Sequence, residues 1–404
     1  MSQQPSPRVV VAGHICIDII VTTEQRPDTP DAFIQPGQLV HVGPVVMATG
    51  GAVSNTGLAL HRLGVTTSLL GKIADDLFGH AILDVISSRD PKLVDEMVVT
   101  DGAPSSYTIV ISPRGMDRSF LHCPGANDTF GPEDVNVEKL AGASLFHFGY
   151  PPLMRRMYAD GGRELSTMLR KVKDAGVATS LDLAHIDRGS EAGRVDWRAL
   201  LQMALQDVDL FVPSLDEVFP VLQPERFLEA TRTDEGGFMS SVDTALLSAL
   251  SDELLEMGAA VVTLKMGDQG IYMRTTSDPE RLKRIPTLCL NEAWLGRELL
   301  APAYRVEVVG TVGAGDCAIA GLIAGIVRCQ TPEAALSSGV AAGGANVEKA
   351  DAISGVPEWP VLQERIGKKW PKLPLVIDTL DWRYHEAQGL WISPSDPIYP
   401  SILA

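Results

Sequence analysis

The stretch YRVEVVGTVGAGDCAIAGLIAGIV, residues 304–327, decides the fold. Its first part, residues 304–309, is rich in valine and predicts a strand. A turn containing Gly313 and Gly315 follows, and an apolar helix begins near Asp316. The first N–H groups of a helix have no partner within it, and the helix dipole favours negative charge. Because glycines allow close backbone approach, the turn predicts an anion site at the start of a helix.

Asp316 adds a carboxylate to this turn, and two interpretations remain open on the residues alone. It could cap the helix, although Thr311 or Gly315 could do so without placing negative charge beside an anion site. It could also accept the proton of a substrate hydroxyl while the neighbouring amides hold a phosphoryl group. The second interpretation supplies the positioning, anion stabilisation and base that phosphoryl transfer requires. Neither G-x-x-x-x-G-K-[ST] nor G-x-G-x-x-G occurs in the chain.

The sequence around this stretch predicts an α/β architecture. From about residue 140 to residue 265, apolar strand patterns alternate with helix patterns, which predicts a parallel sheet with helices on both faces. The strands lack a strict polar alternation, as expected for burial on both sides. Two β-rich runs in residues 105–123 surround PRGMD and predict a hairpin. Residues 358–404 hold many prolines and four tryptophans, and predict an irregular extension packed on the surface.

Composition excludes several classes of function. The 404 residues carry a net charge of −17, which disfavours binding to nucleic-acid backbones and anionic membranes. The five cysteines are scattered and form no C-x-x-C pair, which predicts a reduced chain without a disulfide or zinc framework. The N-terminus has no signal-peptide pattern, and no apolar run approaches the ~20 residues of a membrane span. We therefore expect a cytoplasmic protein.

Two motifs at opposite ends of this α/β chain resemble the signatures of the ribokinase-like (PfkB) family of carbohydrate kinases. The first is G-G-x-x-x-N at Gly50, Gly51 and Asn55, followed by GLALHRLG and GKIADDLFG; the second is T-x-G-A-G-D at residues 311–316. The likeness covers residues 8–357. It implies a three-layer fold with a mostly parallel sheet flanked by helices and a small β-sheet lid, here about residues 20–48 and 103–124.

The resemblance also implies ATP-dependent, Mg²⁺-assisted phosphorylation of a hydroxyl on a sugar-like small molecule. Asp316 resembles the catalytic base, and the anion hole corresponds to Gly313, Ala314 and Gly315. The residues that resemble substrate contacts are Asp18, Gly50, Gly51 and Asn55. Asp18 lies in an apolar run, where a charge is costly unless it is paired or faces a polar site. Asn55 on its own is an ordinary polar helix residue.

Residues of the nucleotide side follow from the same resemblance. Those resembling ATP contacts are Lys265, Gly267, Gly270, Thr311 and Asn346, the last near the adenine pocket. Glu217 resembles the glutamate that organises magnesium, which we expect here, although on its own it could also be a solvated helix residue. The family pattern at this point is Asn-x-x-Glu. Here Ser214 takes the place of the Asn, which predicts altered metal organisation. Gly310 replaces an Asp associated with a monovalent-cation site and puts potassium activation in doubt.

Two rival functions remain open. A nucleoside kinase of the same fold would need a slot for a base near the lid, which Tyr107 and Phe120 could provide. A non-catalytic ligand sensor would explain the changes at Ser214 and Gly310. Because exposed lid edges can pair, we also expect a homodimer formed through the lid. The sequence does not identify the sugar or the phosphorylated hydroxyl.

Overall fold

A computed structural model describes residues 7–23, 37, 39–113, 119–232, 238–379 and 381–402. Residues 24–36 and 38 of the predicted lid, and residues 114–117 of the predicted hairpin turn, lie outside these ranges.

The chain alternates strands and helices through most of its length, linked by loops and short 3₁₀ turns. In chain order the strands are β1 (Arg8–Gly13), β2 (Cys16–Thr23), β3 (Val46–Gly50), β4 (Thr66–Leu70), β5 (Lys72–Ala74), β6 (Val98–Thr100), β7 (Tyr107–Pro113), β8 (Ser119–Cys123), β9 (Ala143–Gly149), β10 (Ala178–Leu181), β11 (Leu210–Phe211), β12 (Val261–Lys265), β13 (Ile271–Thr275), β14 (Glu298–Ala301), β15 (Arg383–His385) and β16 (Leu390–Ile392). The α-helices are α1 (Ala52–Arg62), α2 (Leu77–Ser87), α3 (Arg155–Tyr158), α4 (Arg163–Asp174), α5 (Trp197–Ala204), α6 (Leu215–Leu222), α7 (Pro224–Arg232), α8 (Thr244–Glu256), α9 (Pro279–Lys283), α10 (Ala314–Val327), α11 (Pro332–Asn346), α12 (Trp359–Gly367) and α13 (Tyr399–Ile402).

The large sheet has the order β15-β16-β14-β13-β12-β11-β10-β9-β1-β4. From β4 to β12 all neighbours are parallel, and β13, β14, β16 and β15 extend the sheet in antiparallel fashion. A smaller sheet has the order β3-β2-β7-β8. The prediction of a mostly parallel sheet with helices and a second small sheet is confirmed. The hairpin is present as well, since Tyr107 pairs with Cys123 in the antiparallel β7–β8 ladder.

Both faces of the large sheet are buried, as the unbroken apolar strands predict. Val9 and Val11 of β1 point into one apolar core, and Val10 and Ala12 point into the other. Helix α10 is buried from Asp316 onward and packs against α11 and α1, which explains why its sequence is apolar on all sides. Within the described ranges, no helix is long and apolar enough to cross a bilayer.

The predicted strand at residues 304–309 is absent. Tyr304 makes only an isolated bridge to Lys372, and Val308 and Val309 are 63% and 60% exposed. The physical reason is the lack of a strand partner: the segment crosses the end of α11, where the Val309 N–H donates to the Val347 carbonyl oxygen at 2.8 Å.

The segment after residue 357 is more regular than predicted. It contributes α12 and α13, and β16 pairs with β14 so that β15 and β16 complete one edge of the large sheet. The buried Asp396 forms an ion pair with the buried Arg297 at 3.0 Å. The Trp370 ring stacks on Tyr304 with their centroids 4.5 Å apart. The aromatic packing agrees with the prediction for this segment, whereas its helices and strands contradict the prediction that it is irregular.

The prediction that all cysteines are free is also wrong. Cys289 and Cys329 form a disulfide, whereas Cys16, Cys123 and Cys317 are free. The two partners are 40 residues apart and come together only when α10 packs beside the segment that precedes β14. Spacing in the sequence could not reveal this pair.

Candidate active site

The polar residues of the candidate site lie where the parallel strands end. His14 follows β1, Tyr150 follows β9, Asp182 follows β10, and Lys265 is the last residue of β12. Carboxyl ends of parallel strands share one edge of a sheet, which is where open α/β sheets bind ligands. Asp316 approaches this edge from the first turn of α10.

The Asp316 carboxylate is buried and accepts three hydrogen bonds. Its Oδ2 accepts from Asn55 Nδ2 at 3.1 Å and from the Tyr150 hydroxyl at 2.8 Å, and its Oδ1 accepts from Thr56 Oγ1 at 3.0 Å. Burial raises the pKa of Asp316 above its ordinary value, and these donors together with Lys265 oppose the rise. Asp316 is thus a fixed carboxylate with an increased affinity for a proton.

The turn before α10 has the geometry expected of an anion site. Gly313 has a left-handed φ of 68°, and a Cβ there would lie 2.4 Å from the Ala352 carbonyl oxygen, so only glycine fits. Gly313, Ala314, Gly315 and Asp316 all line a cavity of about 310 Å³. The Ala314 amide already donates to the Thr311 carbonyl oxygen at 3.3 Å. The remaining amides of the first turn have no acceptor within the helix.

Three further charged residues line the same cavity. Lys265 Nζ lies 2.7 Å from Asp182 Oδ1 and donates to the Val212 carbonyl oxygen at 2.6 Å. Glu217 Oε2 accepts a hydrogen bond from the Ser214 N–H at 2.7 Å. Ser214, which stands where the family usually has Asn, therefore holds this glutamate through its main chain. Burial raises the pKa of Asp182 to about 6 and that of Glu217 to about 8, against the opposing effect of Lys265.

These carboxylates fit a bound magnesium ion. The described residues contain no group of three or more His, Cys, Asp or Glu side chains arranged to hold a metal. Mg²⁺, however, usually takes one or two carboxylates and completes its shell with substrate phosphates and water. Burial is the main cause of the raised pKa of Glu217, and Mg²⁺ beside it would favour its ionised form.

A second, larger cavity of about 540 Å³ adjoins the first and is lined mostly by apolar side chains and glycines. The residues common to both cavities are Ser214, Lys265, Thr311, Ala314 and Gly315. Of the predicted nucleotide contacts, those lining the larger cavity are Lys265, Gly267, Gly270 and Thr311. Asn346 is fully buried and does not line it; its Nδ2 donates to the Val312 carbonyl oxygen at 2.8 Å, which holds the turn before α10.

The predicted substrate contacts lie outside the lining of these two cavities, and one of them, Asn55, contacts Asp316. Asp18 on β2 is so close to Gly50 on β3 that a Cβ on Gly50 would lie 2.4 Å from Asp18 Oδ2. Gly51 begins α1, whose Asn55 donates to Asp316. The Oδ1 of Asn55 is buried without a hydrogen-bond partner in this ligand-free structure.

Sequence reasoning missed five polar residues of this region, one of which is the donor Thr56 described above. His14 and His122, which received no role, meet with their Nε2 atoms 3.3 Å apart, and burial together with His122 lowers the pKa of His14 to about 3. Tyr150 and Asp182 were not singled out either. For three of them the sequence did hold a signal, since His14, Tyr150 and Asp182 are each the first residue after a strand.

Comparisons with known proteins agree with this geometry. The family model described as pfkB family carbohydrate kinase matches residues 6–359. Fructokinase-1 of Oryza sativa subsp. japonica is 25% identical over 364 residues, covering 87% of this chain and 95% of the relative.

Solved structures share the fold. The ribokinase of Arabidopsis thaliana, complexed with ribose and ATP, has a TM-score of 0.65 and 18% identity, and the match covers 89% of this chain and 98% of the ribokinase. The fructokinase of Xylella fastidiosa, with bound ATP, has a TM-score of 0.64 and 19% identity over 90% of this chain and 98% of its own. At these identities the structural likeness establishes the ribokinase-like fold.

Proposed function

We propose that this chain, which belongs to the pfkB family of carbohydrate kinases and is therefore a phosphotransferase, transfers the γ-phosphoryl group of ATP to a hydroxyl of a sugar or sugar-like alcohol. One observation carries the proposal. The buried carboxylate of Asp316 lines a charged cavity that shares Lys265 and Gly315 with an adjoining, larger apolar cavity. A nucleotide in the larger cavity would direct its phosphates toward Asp316.

Each group has a defined part in this proposal. Asp316 takes the proton of the acceptor hydroxyl, and its raised pKa gives it a greater affinity for that proton than an ordinary carboxylate has. The amides of the turn at Gly313, Ala314 and Gly315 and the ammonium of Lys265 stabilise the negative charge of the transferring group. Mg²⁺ held beside Glu217 would neutralise phosphate charge when ATP is bound.

The acceptor is expected to bind between Asp316 and the small sheet. Asp18 on β2 and the unpartnered Oδ1 of Asn55 are acceptors for substrate hydroxyls. The relatives named fructokinase and ribokinase make fructose and ribose the first acceptors to test. Closure of the small sheet over the acceptor would exclude water, so that the sugar hydroxyl attacks the phosphoryl group.

The proposal is tested by measuring ADP release from ATP and Mg²⁺ with a panel of sugars, sugar alcohols and nucleosides. We expect ADP formation with at least one sugar or sugar alcohol, together with a phosphorylated product detected by mass spectrometry. ADP release with nucleosides alone would favour the nucleoside kinase. A ligand-dependent rise in melting temperature without any ADP would favour the non-catalytic sensor.

The nucleoside kinase has less structural support than the sugar kinase. Tyr107 packs against Phe78 with their ring centroids 5.2 Å apart, and Phe120 is 60% exposed on β8. Phe120 pairs with Val110, three residues along β7 from Tyr107, so the two rings lie on opposite faces of the sheet and do not form one slot for a base. The sugar kinase remains the function that the geometry favours.

Assembly and location remain predictions. The edge strands of the small sheet expose apolar side chains, namely Val46, Met47, Phe120 and Leu121, which supports a homodimer formed through this sheet. Light scattering coupled to size-exclusion chromatography would measure the mass, and a monomer at micromolar concentration would contradict the dimer. The cytoplasmic location predicted from composition is likewise untested.

A further inference from the structure

Tyr150 is a donor to Asp316 that lies far from both family signatures in the sequence. Asn55 and Thr56 approach the carboxylate from α1, whereas Tyr150 approaches it from the turn after β9. The tyrosine is therefore independent of the G-G-x-x-x-N motif. It also lines the 310 Å³ cavity together with Asp316 but does not line the larger apolar cavity.

The backbone of Tyr150 is held in an unusual conformation. Its φ is 68°, in the left-handed region that residues with a side chain rarely adopt. Pro151 and Pro152 follow it, and the Leu153 N–H donates to the Tyr150 carbonyl oxygen at 3.0 Å. Such a conformation costs on the order of 1–3 kcal/mol and persists where the surroundings enforce it, often at functional sites. The turn aims the phenol into the cavity.

The two carboxylate oxygens of Asp316 accept different numbers of hydrogen bonds. A carboxylate oxygen accepts about two hydrogen bonds. Oδ2 accepts from both Asn55 and Tyr150, whereas Thr56 is the one described residue that donates to Oδ1. Oδ1 is therefore the oxygen with capacity for a further donor, such as a substrate hydroxyl.

We infer that Tyr150 is a positioning residue for phosphoryl transfer: it occupies Oδ2 of Asp316 and so directs the proton of the acceptor hydroxyl to Oδ1. The inference rests on the proposed function. Burial and the nearby Asp316 raise the pKa of Tyr150 well above its ordinary value, so the phenol stays a hydrogen-bond donor throughout the working pH range. Among the described residues, the other ionisable groups around Asp316 are Asp182, His185, Glu217, Lys265 and the Cys317 thiol.

The test compares Tyr150→Phe with the full-length wild-type enzyme, using ATP, Mg²⁺ and the best acceptor from the panel. Loss of a hydrogen bond to a charged group predicts about a tenfold fall in kcat, with the KM for ATP unchanged. The hydrogen bond favours the ionised carboxylate, so its loss raises the pKa of Asp316. The acidic limb of kcat/KM should then move upward by about one pH unit.

Tyr158→Phe is the matched control, because it removes a phenol hydroxyl from a tyrosine that packs on Trp197 away from both cavities. It should leave kcat and the pH profile unchanged. Melting curves of all three proteins check folding; if Tyr150→Phe melts early, the kinetics of all three proteins are compared at a lower temperature at which each of them is folded. An unchanged kcat and acidic limb in folded Tyr150→Phe would overturn the inference. An inactive wild type would instead overturn the proposed function.

Discussion

The two adjoining cavities differ in chemistry although they share part of their walls. The larger one is lined by residues of the C-terminal half of the chain, mostly glycines and apolar side chains such as Val306, Val340 and Leu373. The smaller one contains the carboxylates of Asp182, Glu217 and Asp316. Only Ser214, Lys265, Thr311, Ala314 and Gly315 belong to both.

This difference separates binding from chemistry. An apolar cavity gains affinity from buried surface and needs no special protonation state. The polar cavity keeps charged groups away from water, where each charge has a stronger effect and where pKa values shift. Substitutions in the polar cavity should therefore change kcat, and substitutions in the apolar cavity should change the KM for ATP.

The largest effect is expected from Asp316→Asn in the polar cavity. The amide preserves the shape of the side chain but cannot accept a proton from the substrate hydroxyl. Removal of a general base predicts a fall in kcat of roughly 100- to 10,000-fold, with little change in the KM for ATP. Steady-state ADP release measures both constants, and a melting curve checks that the variant folds. Near-normal turnover would remove Asp316 from the role of base.

A somewhat smaller effect is expected from Lys265→Met, at the boundary of the cavities. Because Lys265 lines both, its loss should lower kcat by about 100-fold and also raise the KM for ATP. The change leaves Asp182 without its cation, and breaking a buried ion pair costs roughly 3–5 kcal/mol of stability.

Two further variants separate catalysis from stability in this prediction. Asp182→Asn keeps the ammonium, and it should retain more activity than Lys265→Met. The double variant Lys265→Met with Asp182→Asn removes the uncompensated charge and should melt higher than Lys265→Met, without regaining turnover. If the double variant recovers full activity, Lys265 acts only as the counter-ion of Asp182.

The sequence could predict the site where its residues are close together in the chain. The turn of residues 311–316 and helix α10 follow from a local pattern of glycines and apolar residues, and the cavity does adjoin them. The donors to Asp316 could not be predicted in the same way. Asn55 lies 261 positions away from Asp316, and Tyr150 lies 166 positions away, so only the packed fold brings them together.

The errors in the predicted fold have a related cause. Residues 304–309 have strand propensity, but no strand lies beside them, and the main chain of Val309 bonds to the end of α11 instead. In the C-terminal segment, short strands of three residues gain stability by pairing with an existing sheet edge at β14. Neither a missing nor an available partner is visible in local sequence.

The smallest effect, and the sharpest test of the comparison, is expected from Gly344 in the apolar cavity. A Cβ at Gly344 would lie 3.7 Å from Tyr304 Cβ and 3.8 Å from Trp370 Cη2, which is ordinary contact. Gly344→Ala should therefore bind ATP normally and stabilise α11 by roughly 0.5–1 kcal/mol, because glycine disfavours a helix interior.

Gly344→Leu should instead fill part of the cavity and raise the KM for ATP by about tenfold, which corresponds to roughly 1.4 kcal/mol. Its kcat at saturating ATP should stay within about twofold of the wild type, because no residue of the polar cavity changes. Steady-state kinetics of the Ala and Leu variants, measured together, give the KM for ATP and the kcat that test this prediction. A large loss of kcat in folded Gly344→Leu would mean that the two cavities do not divide binding from chemistry.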